Sequence, residues 1–239
     1  MKKIITSALL IAIAQLCFSQ NQWSIGLSIQ PGMGGISNPT LVDFGENVTD
    51  IKTGKEGSYS INVLVDYTIG KRMRLSTGIG FAAEGFSWTY GRDYHDMETM
   101  EELFPELVYW NYTTVTAKYF SIGIPLSVKY DIFNTKSFGL YFKPGTYINY
   151  LFDGNWQTKA EFTDRVDVVN TTNQNPSDGS NLMIGGQIGF GIDVNLTNKS
   201  RLFVEPCYHY NITKVRNTFP LDGNLYDFGI NIGLMVSVL

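Results

Sequence analysis

Charge is scarce in this chain: Asp, Glu, Lys and Arg make up 17% of its 239 residues, against roughly 25% in an average soluble protein. Long apolar runs are missing too. Beyond residue 16 no stretch approaches the roughly 18 consecutive apolar residues of a membrane-spanning helix. Lys and Arg form no cluster and the net charge is −4. That excludes nucleic acid as a partner, because phosphate binding needs a basic footprint. Histidine is limited to His95 and His209, and cysteine to Cys17 and Cys207. What the chain does have is aromatics, at 14%, and 24 glycines. Low charge without long apolar runs is the profile of a membrane β-barrel, whose strands meet lipid only at every second residue.

The start reads as an export signal. Met1-Lys2-Lys3 is basic, Ile4 to Leu16 is apolar, and Cys17-Phe18-Ser19-Gln20 offers small residues for cleavage. Cleavage after Ser19 is expected, so residues 1–19 form the signal peptide and 20–239 the mature domain. The mature chain then keeps only Cys207 and forms no internal disulfide. Acylation of Cys17 is the rival reading, with the bulky Leu16 before it counting against a lipoprotein signal.

Period-2 alternation marks the strands. From Phe228 on, Phe228, Ile230, Ile232, Leu234, Val236 and Val238 share one face, opposite Asp227, Gly229, Asn231, Gly233 and Ser237. Tyr59, Ile61, Val63, Val65, Tyr67 and Ile69 repeat the pattern, as do Leu182, Ile184, Ile188, Phe190, Ile192 and Val194. The alternation predicts eight strands, near 23–31, 57–70, 72–88, 114–131, 137–152, 181–196, 201–213 and 225–239. Tight turns at 70–71, 133–136 and 197–200 alternate with longer connections at 32–56, 89–113, 153–180 and 214–224. Outer-membrane barrels have short periplasmic turns and long outer loops. The expected fold is therefore all-β: an eight-stranded, antiparallel, up-and-down transmembrane β-barrel with both termini on the periplasmic side of a Gram-negative outer membrane. A soluble barrel also alternates, but its outer face would be crowded with Lys and Glu. Here the polar face is mostly Gly, Ser, Asn and Thr, which suits a narrow lumen.

The segment Tyr119 to Tyr130, with Ile124-Pro125-Leu126 and Lys129-Tyr130 inside it, resembles a strand of the outer-membrane β-barrel domain family of Bacteroidota, the PorT-like small barrels. Phe142-Lys143-Pro144-Gly145-Thr146-Tyr147 and Glu205-Pro206-Cys207-Tyr208-His209-Tyr210 are similar to that family's later strands. The resemblance implies a fold rather than an activity, since only some members are tied to secretion or gliding. The ending Asn231-x-Gly233-x-x-Val236-x-Val238 is similar to the signal read by the barrel-assembly machinery, although it lacks the usual terminal aromatic residue. That machinery and the lipid of the outer membrane are therefore expected partners, with another envelope protein as a third.

No catalytic set is expected. Asn211 lies two residues after His209, where barrel lipid A deacylases carry their serine. Asp66, Arg74, Glu84, Lys129, Lys143, Asp193, Glu205 and His209 all fall on the polar face. Both signs are present, so a mutually paired network filling the lumen is expected rather than the lining of a channel. In the second long connection Met97, Met100, Leu103, Phe104 and Leu107 form an apolar stripe on a short helix capped by Asp96, a candidate docking loop. Calcium-loop spacing is missing, and neither a metal nor a cofactor is expected. Residues 170–180 read as a polar loop, and Trp156, Phe162, Val166 and Val168 extend the hairpin ahead of it. The functional expectation is a non-enzymatic barrel, structural or accessory to a surface or secretion complex. A lipid-acting barrel enzyme and a narrow channel are the alternatives.

Overall fold

The computed structural model describes residues 23–41, 48–92, 110–162, 168–173, 181–214 and 221–238. They form nine strands: β1 Trp23–Leu41, β2 Val48–Ile69, β3 Met73–Arg92, β4 Trp110–Asn134, β5 Phe138–Phe162, β6 Val168–Asn173, β7 Leu182–Asn195, β8 Ser200–Asn211 and β9 Leu221–Val238. Eight of them close a ring of antiparallel neighbours, β1-β2-β3-β4-β5-β7-β8-β9 and back to β1. The ninth, β6, pairs only with the far part of β5, over Asn155–Ala160. Closure follows from the solvent. In hydrocarbon an unpaired N–H or C=O costs several kcal/mol, so a spanning sheet must have no edge.

Three short connections, 70–72, 135–137 and 196–199, lie at one end of the ring. Gly70 carries a φ of 65°, which a side-chain-bearing residue adopts only with strain. Trp23 and Val238 pair with each other at this same end. We call it the turn end, and the opposite one the loop end.

The side chains are arranged inside out relative to a soluble protein. Leu27 and Ile79 are 62% and 59% exposed, whereas Asp66 and Lys129 are fully buried at 0%. Exposed apolar residues run along β1 from Trp23 to Met33, about the 9–11 residues that a tilted strand needs to cross a bilayer. Aromatic pairs border this band, as girdles do in outer-membrane barrels. Trp23 and Tyr67 (4.7 Å between centroids) and Phe133 and Phe138 (5.5 Å) mark the turn end. Phe81, with Phe120 at 6.2 Å and Phe152 at 6.0 Å, marks the other border.

The strands outrun the band, and here the structure corrects the sequence reading. The expected connection 32–56 shrinks to 42–47, β4 already begins at Trp110, and β5 runs on to Phe162. Asn170–Asn173, read as loop, belongs to β6. The reason is a reversal of polarity. Beyond Phe120, Thr114, Thr116 and Lys118 face outward between the buried Val115, Ala117 and Tyr119. Thr89 and Thr114 share a hydroxyl hydrogen bond of 2.9 Å across the outer face. Water, not lipid, sets this pattern, so the apolar-out signal that identifies the lower strands vanishes while the pairing continues. The signal segment, the candidate helix at 96–107 and residues 174–180 lie outside the described residues.

The two environments make a differential prediction. Leu27→Arg, near the middle of the lipid-facing band, is expected to lower folding stability by roughly 2–4 kcal/mol. Thr116→Arg, on the outside of the raised part, is expected to change it by less than about 0.5 kcal/mol. Urea titration of the protein folded into vesicles measures both, and equal costs would contradict the assignment.

Candidate functional site: the barrel interior

Three layers fill the lumen. Nearest the turn end is a charge network drawn from every ring strand except β1. Asp66 on β2 accepts hydrogen bonds from Lys129 Nζ (3.0 Å) on β4 and from Arg201 Nη2 (2.6 Å) on β8. Arg74 on β3 reaches Asp193 on β7 (2.6 Å) and also binds Asp131 on β4. Glu205 on β8 accepts from Lys143 Nζ (2.7 Å) and the Tyr141 hydroxyl (2.9 Å) on β5, and from Asn231 Nδ2 (3.3 Å) on β9. Tyr141 lies over Gly191, where an added Cβ would come within 2.1 Å of its Cζ. Its ring thereby turns across the lumen, with the Arg74 guanidinium 5.2 Å and Lys129 Nζ 5.4 Å from its centroid.

The cations Arg74, Lys129, Lys143 and Arg201 balance the anions Asp66, Asp131, Asp193 and Glu205, four against four. A buried charge without a partner is costly, and this balance lets an eight-stranded lumen hold so many. The network brings together six of the residues singled out from the sequence: Asp66, Arg74, Lys129, Lys143, Asp193 and Glu205. It adds Asp131, Arg201, Tyr141 and Asn231. The first two were legible, because Asp131 shares the alternation parity of Lys129, and Arg201 that of Glu205.

Glu84 and His209 do not join this network. They sit one layer higher, around a cavity of about 70 Å³, room for a few waters rather than a ligand. Asp227, which sequence reasoning placed on the inner face without singling it out, is the hub there. It accepts a hydrogen bond from the Ser58 hydroxyl and another from Gln30 Nε2 (2.9 Å). His209 Nδ1 lies 3.6 Å from Asp227 Oδ2, and Tyr147 meets the imidazole edge-on at 5.5 Å. Asn211 Nδ2 points to Glu84 Oε2 at 3.5 Å. Nucleophilic catalysis pairs a nucleophile with a base through a hydrogen bond, and neither candidate nucleophile here bonds to the imidazole. The Ser58 hydroxyl is directed to the carboxylate instead of the imidazole, and the Cys207 thiol donates to the Gly229 carbonyl at 3.5 Å. Among the described residues no group of three His, Cys, Asp or Glu side chains could hold a metal ion.

The loop end is stoppered by aromatics. Phe86 and Trp88 stack at 5.4 Å, Trp156 meets Trp88 edge-on at 5.4 Å, and Tyr119 lies 6.0 Å from Phe86. Ile36, Leu151, Met183 and Leu225 complete the plug. Trp156 extends the hairpin as expected, pairing with Thr172 of β6, and its ring turns inward. A bulge opposite Phe120 and Ser121 skips one residue on β5 and reverses the faces of Asp153 and beyond.

The network's wiring predicts unequal costs. Asp66→Asn leaves two buried cations, Lys129 and Arg201, short of their partner and is expected to lower stability by about 3–5 kcal/mol. Lys129→Gln leaves Asp66 still paired with Arg201 and should cost less than half as much. Chemical denaturation in vesicles, followed by tryptophan fluorescence, gives both values; the reverse order would contradict the wiring.

Three solved structures are similar to the chain at low identity. Neisserial surface protein A is 15% identical, with 90% of this chain and 97% of that one covered and a TM-score of 0.44. The attachment invasion locus protein of Yersinia pestis is 9% identical, with 89% and 99% covered and a TM-score of 0.31. The outer membrane protease OmpT of Escherichia coli is 9% identical, with 92% and 98% covered and a TM-score of 0.40. No curated protein sequence matches. With a family model that matches residues 18–217, the chain belongs to the outer membrane protein β-barrel domain family.

Proposed function

We propose that this is a non-enzymatic barrel of the PorT-like kind found in Bacteroidota, acting as a structural or accessory subunit of a surface or secretion complex. The observation that carries this reading is how the interior is used. Charges pair with one another, aromatics close the loop end, and the space left between them is about 70 Å³. Such a lumen offers neither a water path nor room for a substrate, which leaves the outer surfaces to do the work. The raised wall supports the same view. In β4 the residues from Trp110 to Ser121 rise beyond the lipid-facing stretch that starts at Ile122. They carry the loop end clear of the membrane, toward a partner in another envelope protein.

In this reading the turn end and both termini face the periplasm, and β9 carries the recognition signal for the barrel-assembly machinery during biogenesis. The apolar band meets outer-membrane lipid. The expected docking stripe of Met97, Met100, Leu103, Phe104 and Leu107 falls in the sequence between β3 and β4, outside the described residues.

Extraction of the tagged protein in mild detergent is expected to recover a stoichiometric envelope partner, and deletion of residues 96–107 to release it. A lone barrel in both samples would overturn the accessory role. Reconstitution into planar bilayers is expected to give no conductance steps above baseline. Discrete steps would restore the channel reading. Lipid A of unchanged mass in cells carrying the wild type or His209→Ala is expected as well; a mass difference that depends on His209 would replace the proposal with a lipid-acting enzyme.

A further inference from the structure

The outer face carries two recesses in line along β3, β4 and β5, and their chemistry differs. At the turn end the β2–β3 and β4–β5 turns stand side by side, because β3 and β4 are neighbours. Between them is a notch of about 670 Å³ lined by Lys71, Arg72, Ile132, Phe133, Thr135 and Lys136. Lys71, Arg72 and Lys136 are all exposed. The acid that lines the same notch, Asp131, is held by Arg74, so the three cations face it uncompensated. The notch persists because Ile132 is skipped in the β4–β5 ladder, where Asp131 pairs with Tyr141 but Phe133 with Leu140.

Farther from the rim on the same strands is an apolar groove of about 420 Å³, bounded by Leu75, Thr77, Leu126, Val128, Pro144 and Thr146. Its floor is low because Thr77, Leu126 and Thr146 form one rung in which the two outer members are short. The Thr146 hydroxyl donates to the Gly185 carbonyl at 2.7 Å, which hides its polar atom and leaves the methyl outward. Both recesses fall within the roughly 300–1,000 Å³ typical of ligand sites. Arg72 and Leu75 are three residues apart, about 10 Å along a strand. That is close to the depth from a lipid headgroup to its first acyl carbons.

We propose that notch and groove together form a binding site for one anionic phospholipid, with the phosphate on Lys71, Arg72 and Lys136 and an acyl chain in the groove. This assignment rests on the reading that the turn end faces the periplasm, where the adjoining leaflet supplies glycerophospholipid. The occupant must be anionic overall. A zwitterionic headgroup brings its own cation, and the notch has no free carboxylate to receive it. Arg72 suits a phosphate because a guanidinium offers paired donors in one plane. Phe133 lines the recess, and Tyr130, exposed three residues before it on β4, is an amphipathic ring of the kind that settles at a bilayer interface.

The test is native mass spectrometry of the full-length protein in mild detergent, titrated with phosphatidylglycerol or phosphatidylcholine of identical acyl chains. One phosphatidylglycerol per barrel is expected to be retained with a preference up to the order of a hundredfold at low ionic strength, from about three basic contacts, and the preference should fall with salt. The variant Lys71→Gln/Arg72→Gln/Lys136→Gln should lose that preference, while Lys199→Gln on the β7–β8 turn keeps it. Thr77→Phe, which fills the groove, should weaken retention of both lipids. A shift in gel mobility on boiling confirms that each variant folds. Equal retention of the two lipids, a preference that survives the triple substitution, or displacement by inorganic phosphate alone would each overturn the site. Orientation is read separately, from labelling of Thr135→Cys by an impermeant thiol reagent in intact cells. Labelling there would sink the periplasmic reading and with it the phospholipid as occupant, whatever the detergent titration shows.

Discussion

A sheet that crosses hydrocarbon must pair every backbone N–H and C=O with itself, and much of this molecule follows from that requirement. Closing the ring through β1–β9 and β4–β5 gives each strand an inner face as well as an outer one. Eight strands leave a lumen just wide enough for side chains. The outer face is fixed by lipid as apolar, so the polar and charged residues of the alternation all turn inward, and there they have only one another. The match of Arg74, Lys129, Lys143 and Arg201 with Asp66, Asp131, Asp193 and Glu205 is the result. Glycine plays a part at one level. Gly191 lets Tyr141 lie across the lumen, between the Glu205 carboxylate it donates to and the cations above its ring.

The same strands then enter water and the logic inverts. At the level of Phe81, Phe120 and Phe152 the outer face changes from apolar to polar and the inner face from charged to aromatic. Above it the barrel is built like a soluble one, with Phe86, Trp88, Tyr119 and Trp156 as its core. One chain thus carries two hydrophobic patterns of opposite sense on a continuous ladder. The aromatic core lies on the loop-end side of the mid-lumen cavity around His209 and Asp227.

Filling the interior in this way moves the functional question to the surfaces. The raised wall, the basic turn end and the lipid-facing groove differ in what they can meet: a protein, a phosphate and an acyl chain. Surface and lumen meet at Asp131, which lines the notch and is held by Arg74 of the internal network.

The number of ring strands, their order, the three tight turns and the assignment of the polar face inward were all legible in the sequence. Alternation and turn chemistry are local, and a residue's parity on a strand fixes its face. Six members of the charge network were singled out for the same reason, and the parity of Asp131 and Arg201 marks those two as well. Glu84 and His209 share that parity but belong to a different layer, since parity says nothing of height in the barrel. Height depends on the register and stagger of strands far apart in the chain: Asp66 meets Arg201 across 135 positions, and Arg74 meets Asp193 across 119. The raised section was anticipated only in the hairpin that Trp156 and Val168 extend; the rest of it, and Asn170–Asn173 of β6, escaped because the expected pattern was that of a strand in lipid, and theirs is that of a strand in water. The alignment of the basic notch with the apolar groove was likewise decided only by the fold, because β3, β4 and β5 become neighbours only when the sheet is formed.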